Sequence, residues 1–257
     1  MNISDWLPPE FQEPGWAALI LLVSFLGSAT TAALSIGGGL LLIAAMSAVM
    51  PPVAVVPVHG VVMLGSNAGR FILLRDGVDW RRVGWFSMGA IVGAFIGAQV
   101  VLALPPWALR MAIGSFILFT QWGPKISMPT GNRSFAVAGS LSTFLTLFVG
   151  ASGPFVSAIL AKVPTFNRIQ LVATAGACMS IQHGMKVAVF AVAGFAYWQW
   201  MPFIIAAIAT GFAGTVLGAK FVRRVDEATF RTALKWLLTA LALYLLIMAA
   251  VAGIKTN

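Results

Sequence analysis

Apolar stretches punctuated by glycine, proline and charge run the length of this chain. They divide it into ten pieces, at roughly 16–35, 39–50, 53–74, 83–104, 107–123, 134–149, 154–161, 169–196, 199–222 and 230–253. A helix rising 1.5 Å per residue needs about 20 residues to cross a bilayer. Pieces two and seven are too short for that. Each follows a glycine-rich break, Gly37-Gly38-Gly39 in one case and Gly150-Ala151-Ser152-Gly153-Pro154 in the other. Short segments interrupted by Gly or Pro at matching places in two halves are what discontinuous helices look like in membrane carriers. The pattern predicts an all-α polytopic membrane protein with two broken or re-entrant short helices; whether 39–50 and 154–161 cross or re-enter stays open.

Composition removes the alternatives. The 257 residues are 60% hydrophobic and only 9% charged, with a mean hydropathy of +0.94. Soluble chains are about half apolar and about a quarter charged. So few charges could not cover a water-facing surface, and the lipid bilayer is the partner that the excess apolar residues require. Intrinsic disorder, a disulfide scaffold (Cys178 is the one cysteine) and nucleic-acid binding by the +9 charge are excluded together. Cys178 itself reads as a small packing residue. The first 14 residues carry Asp5, Glu10 and Glu13 with no Lys or Arg, unlike a secretory signal, so the first apolar run is read as a retained span.

The basic residues set an expected orientation. Arg70, Arg75, Arg81 and Arg82 flank one break, Lys125 and Arg133 a second, Lys162 and Arg168 a third. Lys220, Arg223, Arg224, Arg231 and Lys235 surround a fourth, which accounts for thirteen of the 16 bases at alternate breaks. The positive-inside rule makes those loops cytoplasmic and puts both termini outside. The two halves also match. Gly93, Gly97, Ala98 and Arg110 correspond to Gly214, Gly218, Ala219 and Arg231 at an offset of 121, Trp80 to Trp198 at 118, and Asn67 and Arg70 to His183 and Lys186 at 116. Five pieces per half is an odd number, so the second half is expected to be inverted. The expected organisation is an extracytoplasmic segment 1–15, a first repeat 16–123, a cytoplasmic linker 124–133 and a second repeat 134–253.

Ile36-Gly37-Gly38-Gly39, Arg75-Asp76-Gly77-Val78-Asp79-Trp80, Gly93-Ala94-Phe95-Ile96-Gly97-Ala98 and the duplicated Gly150-Ala151-Ser152-Gly153-Pro154 together carry a resemblance. Over nearly all of its length after Trp16 the chain resembles the sulfite exporter TauE/SafE family, also called the toluene-sulfonate uptake permease (TSUP) family. The resemblance implies a multi-pass secondary carrier of the bacterial inner membrane, working as an exporter. Its cargo would be a small organic or inorganic anion: a sulfur oxyanion such as sulfite, or a sulfonate, sulfoacetate or carboxylate. No cofactor, metal or nucleic acid is implied, and a homodimer is left open. Tyr197-Trp198-Gln199-Trp200 departs from an Asp-Trp ending in the second half.

The chemistry in the residues agrees with an anion. All seven acids fall outside the spans, so no carboxylate is available there to bind a cation. The buried charges are cationic: Arg70 in piece three and Lys186 in piece eight. A cation unpaired in the bilayer interior costs ~2.5–3.5 kcal/mol on insertion scales, and an anionic ligand is a natural counter-charge. The competing role for both is snorkelling to headgroups. Asn67 and His183 precede these cations by one helical turn on the same face. A helix start exposes backbone N–H groups and about half a positive charge, so Gly37, Gly38, Gly39, Ser152 and Gly153 complete the expected anion site. Close helix packing is the other reading of those glycines. His59 and His183 are the candidates for proton coupling.

Two rival functions remain. Gly150-Ala151-Ser152-Gly153 resembles the nucleophile turn of rhomboid intramembrane proteases, and a Ser152–His183 dyad would make the chain a hydrolase. Against that, the corresponding Ser35-Ile36-Gly37-Gly38 shows the turn twice, which a repeat explains and an active site does not. An anion channel is the second rival, separated from a carrier by whether flux saturates.

Overall fold

The structure is a computed structural model, and it describes residues 7–8, 11, 13–34, 37–101, 103–124, 129–222 and 227–256. Ser35, Ile36, Lys125, Arg223 and Arg224, all used in the sequence argument, lie outside the described residues. Ten α-helices run through the described chain: α1 (Pro14–Leu34), α2 (Gly38–Val49), α3 (Pro52–Leu73), α4 (Trp80–Val101), α5 (Pro106–Trp122), α6 (Asn132–Val149), α7 (Gly153–Leu160), α8 (Arg168–Val192), α9 (Met201–Val222) and α10 (Glu227–Thr256). Short 3-10 turns at Arg75–Gly77 and Tyr197–Trp200 lead into α4 and α9. Each helix falls on one of the ten apolar pieces.

The helix ends are written in the sequence. Prolines occupy the first turns of α3, α5 and α7, where a missing N–H leaves no bond unmade. Asn167 opens α8 with a capping box: its side chain accepts from Gln170 N at 2.9 Å, and Gln170 Oε1 accepts from Asn167 N at 3.1 Å. Asp79 caps α4, accepting from Arg82 N at 3.0 Å and pairing with the Arg82 guanidinium. That guanidinium also lies over the rings of Phe135 and Phe166, with its carbon 5.7 and 5.1 Å from their centroids. The Gly77-Val78-Asp79-Trp80 stretch is therefore a structural joint between the end of α3 and the region around α6 and α8. α6 ends on Gly150 in the left-handed conformation, φ +73°.

The burial pattern is that of a membrane protein. Ser142, Thr143, Thr146, Ser152, Thr174, Gln182, His183 and Lys186 are buried, while Met88, Phe95, Phe212, Leu243 and Ile247 are exposed. Polar groups inside and apolar side chains outside suit lipid, not water. Among the described residues, five helical segments are long and apolar enough to cross: Pro14–Thr31, Pro52–Leu73, Trp80–Val101, Tyr197–Leu217 and Thr232–Ile254. α8 is longer, at 25 residues, but Thr174, Ser180, Gln182, His183 and Lys186 make it polar.

Helices pair along their lengths: α1 with α9, α4 with α6, α3 with α8, α5 with α10. Without a hydrophobic drive between helices in lipid, close approach depends on small residues. A Cβ on Gly93 of α4 would overlap the Ser140 carbonyl of α6, and one on Gly214 of α9 would overlap the Phe25 carbonyl of α1. These are the two glycines matched at an offset of 121. α2 and α7 are the short helices, of 12 and eight residues, and both start in the interior.

Candidate functional site

The starts of α2 and α7 face one cavity of about 340 Å³. α1, α3, α8 and α9 supply the rest of its wall. Of the residues expected in an anion site, Gly37, Gly38, Gly39, Asn67, Arg70, Gly153 and His183 line it; Ser152 and Lys186 do not, and neither does the coupling candidate His59.

Arg70 is the cation on the wall. It stands in the last turn of α3, half-buried, and its hydrogen bond is a long one, 3.5 Å from Nη2 to Ser66 Oγ. The ion pairs among the described residues, Arg75–Asp76 and Arg82–Asp79, leave it without an acid. Asn67, one turn earlier, donates Nδ2 to Met63 O at 2.7 Å, and its Oδ1 is buried without a partner. His183 Nδ1 is likewise buried and unpartnered. Buried polar atoms are rarely left so, and two on residues of one cavity mark a place where another species or another state satisfies them.

Sequence reasoning missed the hydroxyls. Ser24, Ser28 and Thr31 of α1 line the cavity together with Ser66, Ser157 and Thr215. The spacing 24, 28, 31 puts three hydroxyls on one helix face, a signal that was there to be read. Leu40, Leu42, Met63, Leu171, Val172 and Met179 give the cavity an apolar side.

Lys186 is fully buried and turned elsewhere. Its Nζ donates to Gly150 O at 2.8 Å and lies 3.4 Å from His59 Nδ1. His59 Nε2 in turn lies 3.1 Å from Gly39 O. Snorkelling is not what this lysine does here, since it satisfies itself on the backbone between α6 and α7.

The glycines serve packing and cavity at once. Gly37 has φ +101°, a conformation that favours glycine. Gly38 donates its N–H to Thr31 Oγ1 at 3.1 Å, and a Cβ there would overlap Gly27 O. Ser152 is buried, and its hydroxyl accepts from Gln182 Nε2 at 2.6 Å. No Ser152–His183 hydrogen bond forms among the described residues, so the dyad of the hydrolase reading is not assembled. No group of three or more His, Cys, Asp or Glu that could hold a metal is found among them either.

Ten helices with a polar interior, two of them starting inside and facing a cavity whose cation has no acid, define a polytopic membrane transporter. The profile of the family described as "Sulfite exporter TauE/SafE" matches residues 20–245, and the chain belongs to that family. It is also similar to a protein of Comamonas testosteroni, "Probable inner membrane transporter protein TsaS". The two are 26% identical over 189 residues, 67% of this chain and 77% of the other. No solved structure matches.

Proposed function

We propose that this protein is a secondary carrier of small anions in the inner membrane, sulfur oxyanions, sulfonates or carboxylates, and that it binds them in the cavity at Arg70. The observation that carries this reading is a guanidinium with no acid partner on the wall of a hydroxyl-rich cavity. A guanidinium offers a fork of donors matched to a sulfonate or carboxylate. The "inner membrane transporter" in the name of the similar Comamonas testosteroni protein supports the same class.

The carrier works by alternating access between two inverted repeats, 16–123 and 134–253, joined by the cytoplasmic linker 124–133. Exchanging the five helices of each half turns the α1–α9 pair into α6–α4 and leaves α3–α8 and α5–α10 in place, which supports the repeat. With both termini extracytoplasmic, the end of α3 and the start of α8 face the cytoplasm. The site residues are Arg70, Asn67 and His183 with the turns Gly37-Gly38-Gly39 and Ser152-Gly153, and Lys186 behind them; His59 and His183 are the coupling candidates.

The test is flux. Proteoliposomes holding the purified protein should take up sulfite or a sulfonate with a saturable rate, and Arg70→Ala should shift the half-saturating concentration upward. Flux that rises linearly with concentration would make the protein an anion channel.

A further inference from the structure

Behind the cavity sits a group that anion binding alone does not explain. His59 of α3 is fully buried and engaged at both ring nitrogens. Nε2 lies 3.1 Å from Gly39 O. A carbonyl oxygen only accepts, so Nε2 carries the hydrogen and Nδ1 holds a lone pair. That lone pair accepts from the Lys186 ammonium at 3.4 Å, and the same ammonium donates to Gly150 O at 2.8 Å. One chain of hydrogen bonds, Gly39 O to His59 to Lys186 to Gly150 O, thus ties the start of α2 to the turn before α7.

We infer that anion binding by this protein is linked to uptake of one proton at His59 Nδ1, with Lys186 as the group that the proton displaces. The inference rests on the anion-carrier reading.

The Nδ1 lone pair can hold Lys186 or a proton, not both. A proton taken from water forms an N–H bond at Nδ1 and leaves an imidazolium facing an ammonium, so Lys186 Nζ withdraws. Lys186 follows His183 by one turn of α8, and His183 is on the cavity wall. The displaced ammonium therefore starts one helical turn from the anion. The charged and titratable groups facing His59 are Lys186 and His183, both from α8, the latter with its ring centroid 6.1 Å away. α2 and the turn before α7 present the carbonyls of Gly39 and Gly150. Asp76 and Asp79 stand beyond the end of α3. Two neighbouring cations in a low-dielectric interior need a counter-charge, and the transported anion supplies it. Linkage is reciprocal, so an anion that favours the proton is favoured by it to the same factor.

The experiment is a calorimetric titration of full-length protein in nanodiscs with methanesulfonate, which does not itself titrate between about pH 5 and 8. Two buffers of different ionisation enthalpy report the protons exchanged. Wild type should take up close to one proton per anion in part of that range, with affinity rising up to about tenfold per unit fall in pH. His59→Gln, whose amide N–H can still reach Gly39 O, should bind without uptake and with flat affinity. Lys186→Met frees Nδ1 from its competitor, so uptake should persist. The wild-type and Lys186→Met results stand even where His59→Gln does not fold. Uptake that survives His59→Gln, or wild-type binding with no uptake at any pH, overturns the linkage. A wild type that binds no methanesulfonate at all overturns the carrier reading, and the linkage with it.

Discussion

Lys186 crosses α3 over Gly60: a Cβ at position 60 would lie 2.8 Å from Lys186 Cε and 3.4 Å from Val187 Cγ2. The missing side chain is what lets the lysine stem lie flat and deliver Nζ to Gly150 O. Gly60→Ala changes no charge, yet it should dislodge Lys186 and lower transport, and Lys186→Met should lower it too. The overpacking itself is worth about 1–3 kcal/mol, visible as a lower melting temperature. Gly84→Ala, where nothing lies within 4 Å, is the control. Wild-type transport in Gly60→Ala would mean that the stem has slack and that its seat is not specified by this glycine.

Arg70 should matter more to affinity than Lys186. Arg70→Ala removes a charge-assisted contact of about 1.5–3 kcal/mol, so anion affinity should fall roughly ten- to hundredfold while the protein stays folded. Arg70→Lys keeps the charge and loses the fork, and should fall between. The measurement is a binding titration with sulfite and methanesulfonate. Unchanged affinity in Arg70→Ala would assign the side chain to headgroup snorkelling instead.

That order of importance was not legible in the sequence. Arg70 and Lys186 occupy matching places, each one turn after a polar residue, and spacing along a helix cannot tell them apart. What separates them is tertiary: Gly60 opens a channel for Lys186, and Gly150 O, 36 positions away, accepts it. The fold was far more legible. Pro52, Pro106 and Pro154 sit in the first turns of α3, α5 and α7, and Gly37 and Gly150 sit where the chain breaks, because those residues act locally. The glycines and Asn67 that line the cavity are reached through the same breaks and repeats. The cavity hydroxyls were overlooked because Ser24, Ser28 and Thr31 sit inside a helix that reads as an ordinary apolar span.

The two tight helix crossings should respond alike. Gly93→Ala and Gly214→Ala each place a methyl against a facing backbone carbonyl, of Ser140 and Phe25, which backbone cannot yield without parting the helices. Both should destabilise the protein by about 1–3 kcal/mol or more. Gly69→Ala, with nothing within 4 Å, should be neutral or stabilise by about 0.5–1 kcal/mol through helix propensity. Thermal unfolding in detergent reads all three. A tolerant Gly93→Ala would remove the argument that small residues set the α4–α6 distance.

Orientation has its own test. Alkaline-phosphatase fusions to either terminus should be active, and fluorescent-protein fusions exported by the general secretory route dark, since both termini are proposed outside. A C-terminus found in the cytoplasm would leave an odd number of crossings between the ends. The pairing of inverted halves would then fail.

The glycine turns separate packing from binding, because the two starts differ in room. At Gly38 a Cβ would overlap Gly27 O and Thr31 Oγ1, so Gly38→Ala must push α2 from α1 and lose the bond from Gly38 N to Thr31. Its loss of transport should come with a loss of stability, and that says nothing about the anion. At Gly153 the nearest atom to a built Cβ is Met179 Cε at 3.4 Å, an ordinary contact with a flexible side chain. Gly153 is also absent from the glycines of positive φ, so alanine fits its backbone. Gly153→Ala should therefore fold with nearly wild-type stability while placing a methyl on the cavity wall. If the start of α7 approaches the anion, that methyl should change affinity by several-fold, and more for a bulky sulfonate than for sulfite. Binding titrations paired with melting curves make the comparison. Gly153→Ala with wild-type affinity for both anions would take the α7 start out of the site, leaving Arg70 and the α2 side to hold the ligand.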